Sequence, residues 1–137
     1  MDNIDKMAAG RELDALVAEK VLILEVVWAN SIIDWQTVPR PQAPFIKGTG
    51  KEIEHYSTDI AAAWKVVGKF RNAGRAAGVH YGNVSRHWVC IISGSVREGN
   101  GPKFHMAQDG YGEGDTAPLA ICRAALKAVG VAVYARN

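Results

Sequence analysis

The chain of 137 residues is 48% hydrophobic and 22% charged, and its formal net charge at neutral pH is only +2. This length suits one domain that buries roughly two thirds of its unfolded surface, so folding needs neither a metal nor a disulfide. The most apolar run, residues 21–33, contains Glu25 and is too short to span a bilayer, so no membrane partner is expected.

The cysteines and the first residues indicate the cellular compartment. Cys90 and Cys122 lie within apolar runs, where buried thiols are common, and we expect no disulfide between them. The chain starts with the acidic run MDNID, which does not resemble a secretory signal. We therefore expect a reduced cytosolic protein whose residues 1–137 form a single domain.

The first part of the chain predicts one helix followed by irregular structure. A helix is expected from about Gly10 to Leu24, with Asp14 partly outside, and its β-branched continuation favours a strand near residues 24–28. Residues 30–55 contain three prolines and the flexible run KGTGK. These features predict a surface insertion at about residues 30–55, with one short strand around residues 35–38.

The segment from Tyr56 to Gly74 has the clearest helical pattern. Ser57 is the expected N-cap, Asp59 stabilises the positive end of the helix dipole, and Gly74 suits the left-handed position after the helix. Hydrophobic residues at helical spacing define the expected inner face: Ile60, Ala63, Trp64, Val66, Val67 and Phe70.

The second half of the chain predicts two strands and a last helix. Residues 75–83 are interpreted as a turn, residues 86–95 as a strand with Trp88, Cys90 and Ile92 on one face, and residues 103–108 as a returning strand. Residues 109–115, DGYGEGD, are interpreted as a flexible acidic loop. The last helix is expected to begin at Asp115 or Thr116 and to end at Gly130.

Together these elements predict an α/β protein of the α+β type. A small, mainly antiparallel sheet packs with three helices as an α/β/α sandwich, because each helix has a single apolar stripe to bury.

The sequence shows no pattern that predicts catalysis, a metal or a cofactor. KGTGKE lacks the spacing of a phosphate loop, since Phe45 and Glu52 stand where glycine and a hydroxyl residue are needed. His87 and Cys90 have no second ligand pair and would face opposite sides of a strand. We therefore expect a protein that is not an enzyme.

The uneven distribution of charge indicates a candidate anion site. Between Ile60 and Arg97 the chain has no acidic residue but several basic ones, which form either a phosphate-binding patch or an ordinary solvated face. The candidate ligand-binding residues, taken from this stretch and from the start of the central helix, are Tyr56, Ser57, Thr58, Arg71, Arg75, Arg86, His87 and Trp88. We also expect a structural ion pair between Asp59 and Arg123.

Three segments together resemble one family: RELDALVAEKV at residues 11–21, YSTDIAAAWKVV at residues 56–67 and TAPLAICRAALKAV at residues 116–129, with HWVC at residues 87–90 between them. They are similar to the phage ABA-sandwich domain of tailed phages and prophages. The resemblance implies an α/β/α fold and a phage accessory protein in the bacterial cytoplasm.

The leading functional hypothesis follows from this resemblance and from the basic, aromatic stretch. It is a non-enzymatic binder that sequesters a small anionic nucleotide signal of host defence, as a homo-oligomer with sites near subunit contacts. One alternative is an interaction or inhibitor module for a host protein, with Trp28 or Trp35 as anchors. A second alternative, for which the net charge is weak, is a nucleic-acid accessory protein.

Overall fold

The computed structural model describes residues 4–29, 43–83, 86–97, 104–106 and 109–130. These ranges contain three α-helices, α1 (Arg11–Lys20), α2 (Ile60–Asn72) and α3 (Ala117–Ala128), with a 3-10 turn at Ile4–Lys6. They also contain seven short strands: β1 (Val26–Ala29), β2 (Ala43–Ile46), β3 (Ala77–Gly82), β4 (His87–Ile92), β5 (Ser95–Arg97), β6 (Phe104–Met106) and β7 (Gly110–Gly114). In the described parts of the chain, none of the helices is long and apolar enough to cross a membrane.

The strands pair antiparallel in three small sheets. The central sheet has the order β3-β4-β7, whereas β1 pairs with β2 and β5 pairs with β6. Cys90 is the middle of the central sheet, since it stands opposite Val79 on one side and Gly112 on the other. The predicted fold class is confirmed: three helices and small antiparallel sheets form an α+β sandwich.

The helices form the core against one face of the central sheet. α3 lies on β7 and β4, α2 packs beside α3 and reaches β3, and α1 packs against α3 and the β1–β2 hairpin. Largest among the fully buried side chains of this core are Leu13, Ile53, Ile92, Ile121 and Leu126. Trp88, Cys90 and Ile92 share one face of β4, as expected from strand periodicity.

The run DGYGEGD is not a loop, so that prediction was wrong. Its residues 110–114 form β7, which pairs with β4 along its whole length. A Cβ atom built on Gly110 would lie 2.2 Å from the backbone oxygen of Ala124, and one on Gly112 would lie 2.4 Å from that of Ala120. These glycines therefore serve the close approach of α3 to the strand, a need that local turn propensity does not reveal.

Two other segments differ from the expected elements. Residues 77–82, expected in a turn, form β3, because pairing with β4 outweighs the local preference of their glycines. Residues 43–46, within the expected irregular insertion, form β2 and pair with β1. The short strand expected around residues 35–38 lies outside the described residues.

The helix boundaries follow the expected signals with one correction. α2 begins at Ile60, and its N-cap is Asp59, whose Oδ1 accepts from the backbone N–H of Ala61 at 3.1 Å, instead of Ser57. Gly74 has the expected left-handed conformation, with φ of 85°. Thr116 caps α3, and Pro118 lies in its first turn, as predicted.

Candidate functional site

Two of the expected ligand-binding residues are buried where α1 meets the start of α2. Tyr56 and Ser57 are 3% and 0% exposed. Ser57 uses its backbone N–H and its hydroxyl to donate to Asp14 Oδ1, at 2.8 and 2.6 Å. Asp14, expected at the surface, is itself fully buried. Tyr56 and Ser57 therefore do not offer groups to a ligand, because the interior uses them.

Arg75 also belongs to the structure and not to a surface patch. It is 8% exposed, its Nε donates to the backbone oxygen of Ser93 at 2.8 Å, and its Nη1 donates to that of Ala128 at 3.3 Å. The guanidinium lies 5.1 Å from the ring centroid of Phe70. Burial lowers the pKa of Arg75, and Asp109 opposes that shift. The side chain ties β4 to the carboxyl end of α3.

The other five candidate ligand-binding residues do not form a single site. Thr58 and Arg86 are exposed, and Arg86 has a left-handed backbone with φ of 58°. His87 Nε2 donates to Glu113 Oε1 at 2.5 Å, on the face of the sheet turned away from the helices. Arg71 and Trp88, by contrast, lie on the helix-covered side of the sheet, where Trp88 lines a pocket and Arg71 contacts Trp64, another residue of its lining.

This pocket, called here the aromatic cleft, lies between the first turns of α2 and α3 and the central sheet. Its volume is about 450 Å³, and it is lined by Ile60, Trp64, Val79, Trp88, Asp115, Thr116, Ala117 and Pro118. Trp64 and Ile60 are 45% and 44% exposed, although the sequence pattern placed both in the core. The cleft is therefore lined by one exposed indole ring, that of Trp64, and one partly buried indole ring, that of Trp88.

Further aromatic and charged groups extend the cleft. Tyr81 packs edge-on against Trp88, with ring centroids 5.4 Å apart, and is 47% exposed. The guanidinium carbon of Arg71 lies 6.0 Å from the ring centroid of Trp64, and Arg71 Nη2 is held by the backbone oxygen of Ala77 at 2.9 Å. A positioned cation thus stands beside an exposed aromatic surface.

The lining of the cleft is mainly apolar and aromatic. Among its lining residues Asp115 alone is ionisable, so the lining contains no nucleophile paired with a base. In the described residues no group of three or more His, Cys, Asp or Glu side chains could hold a metal ion. What the cleft presents is two indoles, one carboxylate and a nearby guanidinium.

The expected ion pair between Asp59 and Arg123 is replaced by other contacts. Asp59 caps α2, whereas Arg123 Nη1 donates to the backbone oxygen of Glu113 at 2.7 Å and Nη2 to that of Met7 at 2.8 Å. Arg123 therefore binds two backbone carbonyl groups through its Nη atoms and links α3 to β7 and to the segment before α1, whereas its buried Nε has no hydrogen-bond partner in the described part of the chain.

The sequence pattern placed Trp64 in the core and Asp14 partly outside, and the structure shows the reverse for both residues. Trp64 fits the helical stripe but is 45% exposed and lines the aromatic cleft. Trp28, expected as an anchor for a protein partner, is 42% exposed, and Trp35 lies outside the described residues.

Comparison with known proteins places the chain in a family. The model of the phage ABA sandwich domain matches residues 15–126. The fold is similar to the crystal structure of a phage protein from Bacillus cereus ATCC 14579, with a TM-score of 0.53, 24% identity, and coverage of 89% of this chain and 92% of that one. No curated protein matches the chain. Since the family model spans most of its length, the chain belongs to the phage ABA sandwich domain family.

Proposed function

We propose that this phage protein binds and sequesters a small anionic nucleotide signal of host defence in its aromatic cleft, without chemical turnover, in the cytoplasm of the infected bacterium. The observation that carries the proposal is the exposed indole of Trp64 with the guanidinium of Arg71 held 6.0 Å from it. A nucleotide has both complementary parts, a flat base and a phosphate.

Each group of the cleft has a separate part in this binding. The indoles of Trp64 and Trp88 offer faces for a base, and base–aromatic stacking contributes about 1–3 kcal/mol per base. Arg71 binds the phosphate through its planar guanidinium. The carboxylate of Asp115 only accepts hydrogen bonds, so it favours guanine, whose adjacent N1–H and N2–H groups can both donate to it, over uracil, which has the single donor N3–H.

The absence of turnover is part of the proposal and rests on the composition of the cleft. Its ionisable lining residue, Asp115, has no positioned nucleophile or second acid beside it in the lining. Sequestration needs only affinity and abundance, which a small binding domain supplies.

A thermal-shift screen tests the proposal with cyclic dinucleotides, cyclic ADP-ribose isomers, NAD and short oligonucleotides. The variants are Trp64→Ala, which removes the stacking surface, and Arg71→Gln, which removes the cation. Lys69→Gln is the matched control, because it removes the same charge from the exposed side of the same helix outside the cleft lining.

The expected result is stabilisation by one nucleotide, with quenching of tryptophan fluorescence, that both cleft variants lose and the control keeps. Mass spectrometry should recover the ligand unchanged after incubation, and conversion of the ligand would overturn the non-enzymatic reading. If no nucleotide stabilises the protein, the cleft does not serve this function, and capture of a host protein becomes the next experiment.

A further inference from the structure

The central sheet has a second face, turned away from the helices, that carries apolar side chains. In the described part of the chain, this open face is formed by Gly78 and His80 of β3, Val89 and Ile91 of β4, and Tyr111 and Glu113 of β7. Val89 is only 7% exposed, whereas the other five positions are exposed. Ile91 and Tyr111 are 47% and 46% exposed. Apolar side chains exposed side by side on a sheet face are typical of an interaction surface.

The register arranges these residues in two straight rows across the strands. In one row His80 stands opposite Val89, which stands opposite Glu113. In the next row Gly78 stands opposite Ile91, which stands opposite Tyr111. The first row has Val89 at its centre, with an imidazole at one end and a carboxylate at the other. The second row has Ile91 at its centre, with a glycine at one end and the large ring of Tyr111 at the other. The two ends of each row are therefore complementary.

We propose that a second copy of this chain covers the open face, packed sheet on sheet about a two-fold axis parallel to β4. Such an axis places β4 over β4 of the partner, and β3 over its β7. Isologous pairing then follows from symmetry, and the two sheets pack as in an aligned sandwich.

Under this operation each end of a row meets its complement. The ring of Tyr111 lies over the partner's Gly78, where a built Cβ meets nothing within 4 Å, so the glycine leaves space for the ring. Ile91 packs on its own symmetry mate. His80 lies opposite the partner's Glu113, whose Oε1 already accepts from His87 and whose second oxygen accepts from His80. A foreign protein would need to match both rows, whereas a second copy matches them by symmetry.

The size of the face sets the strength of the dimer. Three strands of five or six residues, spaced about 4.8 Å apart, cover roughly 15 by 20 Å. This is smaller than the roughly 800 Å² per partner of stable interfaces. The dimer should therefore be weak and form only at high protein concentration.

Sedimentation velocity from about 5 to 500 μM tests the proposal on the full chain. The mass should rise from 14.8 kDa towards twice that value. Gly78→Val fills the gap that receives Tyr111, and its Cβ meets no atom of its own copy within 4 Å, so it should keep the circular dichroism spectrum and abolish the dimer. Ile91→Lys should do the same, whereas Val27→Lys, at an exposed strand position of β1, should not.

A charge exchange provides the second test. His80→Glu should weaken association at least tenfold, because it sets two carboxylates opposite each other, and Glu113→Lys added to it should restore association. A monomer at every concentration would overturn the proposal. A dimer that persists in Gly78→Val and Ile91→Lys would overturn it equally, because the contact would then lie elsewhere.

Discussion

Asp14 is the buried residue on which the junction of α1 and α2 depends. Its Oδ1 accepts from both donors of Ser57, and Ser57 Oγ in turn accepts from the backbone N–H of Gly10 at 2.9 Å. Oδ2 faces Arg11 Nη1 at 3.4 Å. One carboxylate thus fixes the start of the first helix and the turn that leads into the second, which explains why YSTD precedes α2 although Ser57 does not cap it.

Asp14→Ala should lower the free energy of unfolding by about 3 kcal/mol, because it removes charge-assisted hydrogen bonds and leaves the buried donors of Ser57 without an acceptor. Urea denaturation measures the change. Glu19→Ala is the control, since Glu19 is an exposed carboxylate of the same helix and its loss should change stability by less than about 0.5 kcal/mol. Equal effects of the two substitutions would contradict this role of Asp14.

Three buried groups that lose a proton at alkaline pH, the phenol of Tyr56 and the thiols of Cys90 and Cys122, make the stability of the fold depend on pH. Burial raises the pKa of Cys90 to about 12 and, together with the charges of Glu54, Asp14 and Cys122, raises the pKa of Tyr56 to about 12. Burial first, and then Asp14 and Cys90, also raises the pKa of Cys122. These groups bind protons more tightly when folded, so their contribution to stability is complete below the unfolded pKa values of about 9 to 10.

The free energy of unfolding should therefore fall as the pH rises from about 9 towards 12, since the unfolded chain releases these protons first. Urea midpoints between pH 7.5 and 10.5 measure the slope, and Cys90→Ala should make it shallower by up to about 1.4 kcal/mol per pH unit. A slope that Cys90→Ala leaves unchanged would contradict the assignment. Neither thiol should react with a thiol reagent at pH 8 until the protein is unfolded.

The elements that were predicted well from the sequence are those whose start, end or periodicity is marked by residues of the element itself. α3 has a cap, an early proline and a terminal glycine, and β4 alternates cleanly, so both were located within a few residues. β3 and β7 were missed because their glycines signal turns when considered alone. In β7 the glycines allow the close approach of α3, which begins at Ala117, directly after the strand, and folds back over it. The local turn preference of the glycines does not reveal that the following helix packs on them.

Gly112→Ala tests this contact between β7 and α3. The added Cβ would lie 2.4 Å from Ala120 O and from Ala124 N, so the helix must move, and we expect the free energy of unfolding to fall by about 2–3 kcal/mol. Gly68→Ala makes the same substitution inside α2, where a Cβ meets nothing within 4 Å, and should stabilise by about 0.5–1 kcal/mol. Thermal unfolding of both variants shows whether the two signs differ.

The candidate site could be predicted only in part, because the cleft is assembled from four elements. Arg71 and Trp88 were expected together and lie on the same side of the sheet, whereas Tyr56, Ser57 and Arg75 were taken from the same basic, aromatic stretch and belong to the interior. Neighbouring residues of a helix or strand point to different sides, some to the surface and some to the core. Residues that are close in the sequence therefore need not lie on the same surface.

At the scale of the whole molecule, one three-stranded sheet has two different faces. The face with Val79 and Trp88 supports the helices and the floor of the aromatic cleft, and the face with Ile91 and Tyr111 is open. The sequence led us to expect ligand sites near subunit contacts. In the proposed assembly the two lie on opposite sides of the same strands, so binding and association share no residue.

Nucleotide affinity and dimerisation should consequently be independent. Coupling requires that one event change the contacts or the order of residues that the other uses, and the aromatic cleft and the open face have no residue in common. Titration of the Gly78→Val monomer with the nucleotide found in the screen should give the wild-type dissociation constant, and the ligand should leave the dimer dissociation constant within twofold. At a hundredfold excess over its dissociation constant the ligand adds about 2.7 kcal/mol to either form. A change of tenfold in either constant would show that the cleft and the open face are coupled through the sheet.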